Sequence, residues 1–198
     1  MNSNMKVNFF EQALKKLSQR KKILDVGSGK PWQKELAPYK EWFKDSTYET
    51  LDNDPNSQAT YVADIQKIPL PDESYDGIIC KAVLQHVPFP YNAIKEMYRI
   101  LKPGGLLLAY VPFIYPYHAR KNSYHDYWRF SKDGIERLFR DFHSVEISPA
   151  DGYFTTMLNF CPFAVMRKIF KPLTKLLDDV LQTKKRSSTS GYYILATK

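Results

Sequence analysis

The hydrophobic positions of the chain change period along its length. Val7, Phe10, Leu14 and Leu17 recur at helical spacing and predict an amphipathic opening helix. Ile23 to Val26 is instead a short apolar run that stops at Gly27-Ser28-Gly29, and an amphipathic stretch around Trp32, Leu36 and Trp42-Phe43 follows it, which predicts strand, glycine turn and helix. Thr47 to Leu51 and Tyr61 to Ala63 are predicted strands followed by Asp52 and Asp64, and Tyr75 to Cys80 is a fourth. Ile94, Met97, Tyr98 and Leu101 make one helix face, Lys102-Pro103-Gly104-Gly105 stops it, and Leu106 to Val111 is apolar on both faces, as a central parallel strand is.

Beyond Pro112 the pattern gives an aromatic loop to Phe130, a helix over 131–140 and a strand over 144–148. Helical segments over 155–181 broken at Pro162 and Pro172 come next, then a last strand over 192–197. Strands alternating with helices predict an α/β fold, a Rossmann-like doubly wound, mostly parallel seven-stranded sheet. It has an N-terminal helix and a helical insertion before the last strand. One domain over 1–198 accommodates this, divided into the N-terminal helix (1–22), a ligand-binding half (23–112) and a substrate-side half (113–198).

Composition narrows the class. A hydrophobic fraction of 43% with 25% charged residues is that of a globular chain. Cys80 and Cys161 stand far apart without nearby metal-ligand partners, so no disulfide framework and no metal site is expected. Neither a signal peptide nor a spanning apolar block is evident, so the expected location is cytoplasmic, or peripheral to the inner face of a membrane. The charge of +8 is spread over modest clusters, Lys15 to Lys22 and Lys184 to Arg186, with no recognisable nucleic-acid module. A solvated basic face is the first reading and no specific nucleic-acid partner is expected.

In an open α/β sheet the ligand lies beyond the carboxyl ends of the strands. Gly27 and Gly29, with Ser28 between them, let the first turn approach a ligand without a Cβ in the way, and Asp25 can accept hydrogen bonds from the turn or from a ligand ammonium. Asp52, with Asn53 beside it, can take both hydroxyls of a ribose. Asp64 can accept from an adenine amino group with Ile65 packed on the ring, and Cys80 and Lys81 can offer backbone groups.

In order, Ile23-Leu24-Asp25-Val26-Gly27-Ser28-Gly29, Asp64-Ile65, Ser74-Tyr75-Asp76, Val83-Leu84-Gln85-His86-Val87 and Arg99 to Gly105 resemble the motifs of class I S-adenosylmethionine-dependent methyltransferases of the small-molecule branch, over residues 23–112. That resemblance implies S-adenosylmethionine as cofactor and methyl transfer as the reaction. Two departures stand out: Lys30-Pro31-Trp32 replaces the third glycine of the first loop, and Gln85 replaces a frequent glutamate. A nicotinamide cofactor is disfavoured, because an indole at Trp32 would obstruct the helix–strand packing its fingerprint needs.

The segment from Tyr115 to Phe130 resembles more loosely that of methyltransferases of polysaccharide and glycan biosynthesis, which implies a small-molecule or glycan-linked acceptor held by Tyr115, Tyr117, Asp126, Tyr127, Trp128 and Arg129. A hydroxyl acceptor gains from a general base. His125 beside Asp126 is the first candidate, His118 the reserve and His86 the third, while Asp126 and Arg129 can equally pin the loop and Trp128 can be core. Met166, Ile169, Phe170, Leu173, Leu177, Val180 and Leu181 form an apolar stripe beside Arg167, Lys168, Lys171 and Lys175. Core or homodimer packing is its first reading, membrane-surface contact or a lid the second. An RNA or protein methyltransferase, or a binding module without catalysis, remain the alternatives to small-molecule methyl transfer.

Overall fold

The computed structural model describes residues 8–121, 123–185 and 188–198. Val7 and Arg186, used in the expectations above, lie outside them. The sheet has seven strands in the order β3-β2-β1-β4-β5-β7-β6: β1 Lys22–Val26, β2 Thr47–Asp52, β3 Tyr61–Val62, β4 Tyr75–Lys81, β5 Leu101–Pro112, β6 Ser144–Pro149 and β7 Gly191–Thr197. β7 pairs antiparallel with both β5 and β6, and every other pairing is parallel. The expected fold class is therefore observed.

Alternation along β1 shows how the sequence builds two faces. Leu24 and Val26 enter a core with Ile78, Cys80, Met97 and Leu107 beneath helices α2 (Pro90–Ile100) and α3 (Lys132–Leu138). Ile23 enters the opposite core, with Phe10, Leu14 and Leu17 of α1 (Phe9–Leu17), Phe43 and Leu108. Helices on both faces leave the strand ends as the open rim. Asn8 caps α1, its side chain accepting from the backbone N–H of Glu11 at 2.9 Å.

Three local expectations are corrected. The stretch at Lys34–Phe43 is a run of 3₁₀ turns and not an α-helix; Pro38 lies inside it and has no N–H to give to an α-helical ladder. Lys102 to Gly105, expected only to stop a helix, belongs to an irregular start of β5: Tyr75 pairs with Leu101 and Gly77 already with Leu106, and Gly104 takes φ +74° in the looped segment between. The insertion begins earlier than 155, with α4 Tyr153–Leu158 and α5 Ala164–Val180, and Pro172 sits within α5 without breaking it.

Candidate functional site

β1, β2, β4 and β5 end on one edge, and the order in which successive strands are added across the sheet reverses between β1 and β4, which makes a crevice at that edge. The turn after β1 lies there. Gly27 and Gly29 have φ of +75° and +55°, conformations that a side chain resists. A Cβ on Gly27 would come within 2.3 Å of Val83 Cγ2; one on Gly29 would stand 3.7 Å from Asp52 Oδ2. The turn thus runs alongside the Asp52 carboxylate with only hydrogen between them. Asp52 Oδ1 accepts from Asp54 N at 3.0 Å, which orients the group.

Asp25 is 1% exposed and accepts from Tyr48 Oη at 2.8 Å. Burial pushes its carboxyl up to about 6, against the lowering effect of hydrogen bonds from Ser28 and Tyr48. Trp32, itself at φ +59°, stacks on Tyr48 with ring centroids 4.0 Å apart and on Phe43 at 5.4 Å. The indole that replaces the expected glycine roofs the Tyr48–Asp25 bond. Tyr48 was not foreseen as a site residue; the register that pairs Thr50 with Asp25, and so brings Tyr48 near it, is not written in the sequence.

The other expected cofactor residues separate. Asp64 is exposed, and its carboxylate takes the Gln66 backbone N at 2.8 Å and the Gln66 amide at 3.0 and 3.2 Å. Ile65 is 6% exposed and packs in the core beneath the third strand's end. Cys80 is fully buried, leaving its backbone for a ligand, and burial pushes its thiol up. The Lys81 ammonium pairs with Glu35 and lies over the rings of Phe10 and Tyr110. Asp25, Asp52 and Asp64 offer acceptors, suited to a ligand whose ammonium, hydroxyls and amino group are donors; with the open glycine turn, this set fits S-adenosylmethionine.

Residues 123–130 pack on the short turn Leu84–His86. The backbone N–H groups of Tyr127 and Trp128 donate to Gln85 O at 2.8 and 3.3 Å, and Trp128 Nε1 donates to Val87 O at 3.0 Å. Trp128 is 44% exposed and so not a core residue. Arg129 forks onto Asp126 at 2.6 and 2.7 Å and also donates to the carbonyls of Tyr115 and Pro116. That guanidinium holds the Asp126 carboxyl down to about 2.

The three candidate histidines are placed differently. His125 is exposed, stacked on Tyr127, and its ring makes no pair with Asp126. His118 does: its Nδ1 lies 3.2 Å from Asp126 Oδ2 and 3.3 Å from Pro116 O. Both neighbours of that nitrogen are acceptors, so Nδ1 carries the proton and Nε2 the lone pair. His86 is fixed differently. Its Nδ1 donates to His125 O and its Nε2 lies 3.1 Å from Gln85 Nε2, a donor that also reaches Ala82 O at 2.9 Å. Its lone pair is therefore engaged, and burial lowers its basicity. The His86 ring packs against His118 and Tyr124, with centroids 5.0 and 4.3 Å away. A cavity of about 590 Å³ adjoins this cluster, bordered by Tyr117, Arg120, Tyr124 and His125. Tyr115 and Tyr117 are exposed, at 38% and 75%.

His86, His118 and Asp126 also place ligand atoms within 4.8 Å of one another. A cation there would face Arg129, which already occupies both Asp126 oxygens.

Residues 24–109 match the family described as a methyltransferase domain. Among curated relatives, a ubiquinone/menaquinone biosynthesis C-methyltransferase of Neisseria meningitidis is 28% identical over 69% of this chain and 54% of its own length. A cycloartenol-C-24-methyltransferase of Arabidopsis thaliana is 42% identical over 24% of this chain and 14% of its own. The chain spans about half or less of the length of these relatives. A solved S-adenosylmethionine-dependent methyltransferase from Archaeoglobus fulgidus superposes with TM-score 0.63 at 13% identity, covering 96% of this chain and 91% of that one. A phosphoethanolamine N-methyltransferase of Haemonchus contortus, solved with S-adenosylhomocysteine, gives 0.58 at 16% identity over 95% of this chain and 52% of that one. The family match and such cofactor-bound neighbours support S-adenosylmethionine as the cofactor, residues 24–109 carry a methyltransferase-domain match, and the chain shares its fold with solved S-adenosylmethionine-dependent methyltransferases.

Proposed function

We propose that this protein transfers a methyl group from S-adenosylmethionine to a hydroxyl of a small acceptor, a sugar or glycan-linked molecule. Residues 23–112 hold the cofactor and residues 113–198 meet the acceptor. When bound, the cofactor supplies an electrophilic methyl on a sulfonium. Asp52 takes the ribose hydroxyls, Asp64 the adenine amino group, and Gly27 to Gly29 with the backbone at Cys80 and Lys81 line the amino-acid end.

What supports the acceptor half is that His118 Nε2 is unengaged among the described residues while Nδ1 faces Asp126 and Pro116 O. Displacement at a sulfonium depends on alignment, and a hydroxyl nucleophile gains from a base that removes its proton as the new bond forms. His118 is the base in this reading, Asp126 orients it, and Arg129 fixes Asp126. His86, its lone pair engaged by Gln85, is a positioning residue. Tyr115, Tyr117, Tyr127 and Trp128 offer exposed aromatic faces for sugar rings, with Arg129 and Asp126 held beneath.

The test is calorimetric titration with S-adenosylmethionine followed by S-adenosylhomocysteine release assayed on sugar nucleotides and lipid-linked sugars. Binding with turnover on one such acceptor, abolished in His118→Ala, supports the assignment. Cofactor binding with turnover only on a carbon acceptor overturns the hydroxyl reading, and no cofactor binding overturns the whole.

A further inference from the structure

α5 carries its apolar residues on one half of its circumference and its polar residues on the other. With about 100° between successive residues, Val165, Met166, Ile169, Leu173, Leu176 and Val180 share a single arc. Arg167, Lys168, Lys171, Lys175 and Asp178 lie on the opposite one. In a water-soluble domain the apolar arc faces the core. Here it does not: those six side chains are between 43% and 71% exposed, with Phe163 beside them at 67%. The helix is held by its polar flank instead. Asp178, 1% exposed, accepts from the backbone N–H groups of Phe154 and Thr155 at 2.9 and 3.0 Å and from Thr183 Oγ1 at 2.5 Å.

The sheet fixes the edge from which the insertion springs. β6 runs parallel to β5, so the insertion between β6 and β7 leaves and re-enters the sheet at the edge where β1, β2, β4 and β5 end. That is the edge of the crevice and of the loop 113–130.

We infer that α5 is a docking helix for an anionic membrane surface, its apolar arc entering the boundary between headgroups and acyl chains. Charge selects this occupant over a second copy of the chain. Four cations line the far side of α5, Lys185 follows the helix, Lys184 there pairs with Asp179, and the chain carries +8 overall. A second copy would bring another chain of +8 against this one, whereas negatively charged headgroups attract the cations beside an apolar face that lies on them. Among the described residues no helix is long and apolar enough to cross a membrane, so the contact is one of lying on the surface. The six arc residues reach lipid, and docking sets the acceptor edge of the sheet towards the bilayer.

Co-sedimentation of the full chain with vesicles of phosphatidylcholine alone, or with 30% phosphatidylglycerol added, tests this. Binding is expected to the anionic vesicles, to fall by roughly tenfold or more between low and high salt, and to fall as far in Ile169→Glu/Leu176→Glu. Both positions are exposed, so the double variant keeps its fold; an unchanged circular dichroism spectrum and melting temperature confirm that. The charge variant Lys168→Glu/Lys171→Glu is expected to lose the preference for anionic vesicles. Absence of vesicle binding overturns the inference, as does equal binding to both vesicle types that neither variant changes. A wild-type dimer in sedimentation equilibrium that Ile169→Glu/Leu176→Glu dissociates, without vesicle binding, assigns the face to a second copy instead. None of these readouts depends on methyl transfer, so they stand apart from the fate of the proposed activity.

Discussion

Replacing Asp126 by Asn removes one charge from the centre of the acceptor loop and leaves the volume unchanged. The Asp126 side chain is fully withdrawn from solvent between two N–H groups of Arg129, the backbone N–H of His118 at 2.9 Å and His118 Nδ1. Its carboxyl stands at about 2 in place of its ordinary 3.8, an effect worth about 2 kcal/mol of folding stability at neutral pH. Because the folded value is depressed, this contribution is complete above about pH 4 and disappears as pH falls through about 2. Asp126→Asn should therefore unfold in urea with about 2 kcal/mol less stability at pH 7, and the difference should vanish by pH 2. If the loss is local opening of the loop, amide exchange over 114–121 and 123–129 should speed up by roughly 30-fold while the sheet is unchanged. Cofactor affinity should stay within about twofold. A variant within about 0.5 kcal/mol of the parent at pH 7, or one whose deficit persists at pH 2, would refute the claim that the charge of Asp126 holds the loop.

Asp52→Ala is expected to weaken S-adenosylmethionine by at least tenfold in calorimetry, since charge-assisted bonds contribute roughly 1.5 to 3 kcal/mol. His118→Ala should lower turnover on the acceptor by about 10² to 10⁴ with cofactor affinity unchanged, whereas His125→Ala should stay near the parent rate. In Gln85→Glu a carboxylate replaces the donor facing His86 Nε2, so NMR titration should show the His86 imidazolium persisting at least one pH unit higher than in the parent; an unmoved titration would refute the assigned tautomer. Asp25→Asn should stabilise the free protein at pH 7 by about 1 to 3 kcal/mol and give no gain at pH 4, because a carboxyl raised to about 6 costs stability only where it must ionise; the same change should weaken the cofactor.

The cofactor half was legible in the sequence because its signals are local. A strand, a glycine pair and an acid at the next strand end are each set by neighbours in the chain, and Gly27, Gly29 and Asp52 stand where the spacing put them. Pairings through space were not legible. Asp126 lies beside His125 in sequence, yet the loop folds back so that His118, eight residues earlier, meets the carboxylate. The stripe on α5 read as a core face because periodicity reports that a helix has two sides and not which one the protein covers. Asp178 decides that, by accepting the first N–H groups of α4 from a position no hydrophobic pattern marks.

The neck of the insertion has a consequence for how such a chain can change. Pro149 pairs with Tyr192 across β6 and β7, Ala150 N donates to Gly191 O at 3.0 Å, and Asp151 accepts from Ser190 N at 3.0 Å and Ser190 Oγ at 2.7 Å. Two antiparallel strands so clamped could be joined by a turn of about two residues. The sheet therefore can close whatever occupies 152–188, which makes that segment a candidate for exchange as a unit. Its length and surface can drift, or be grafted from another protein, without a compensating change in the cofactor crevice.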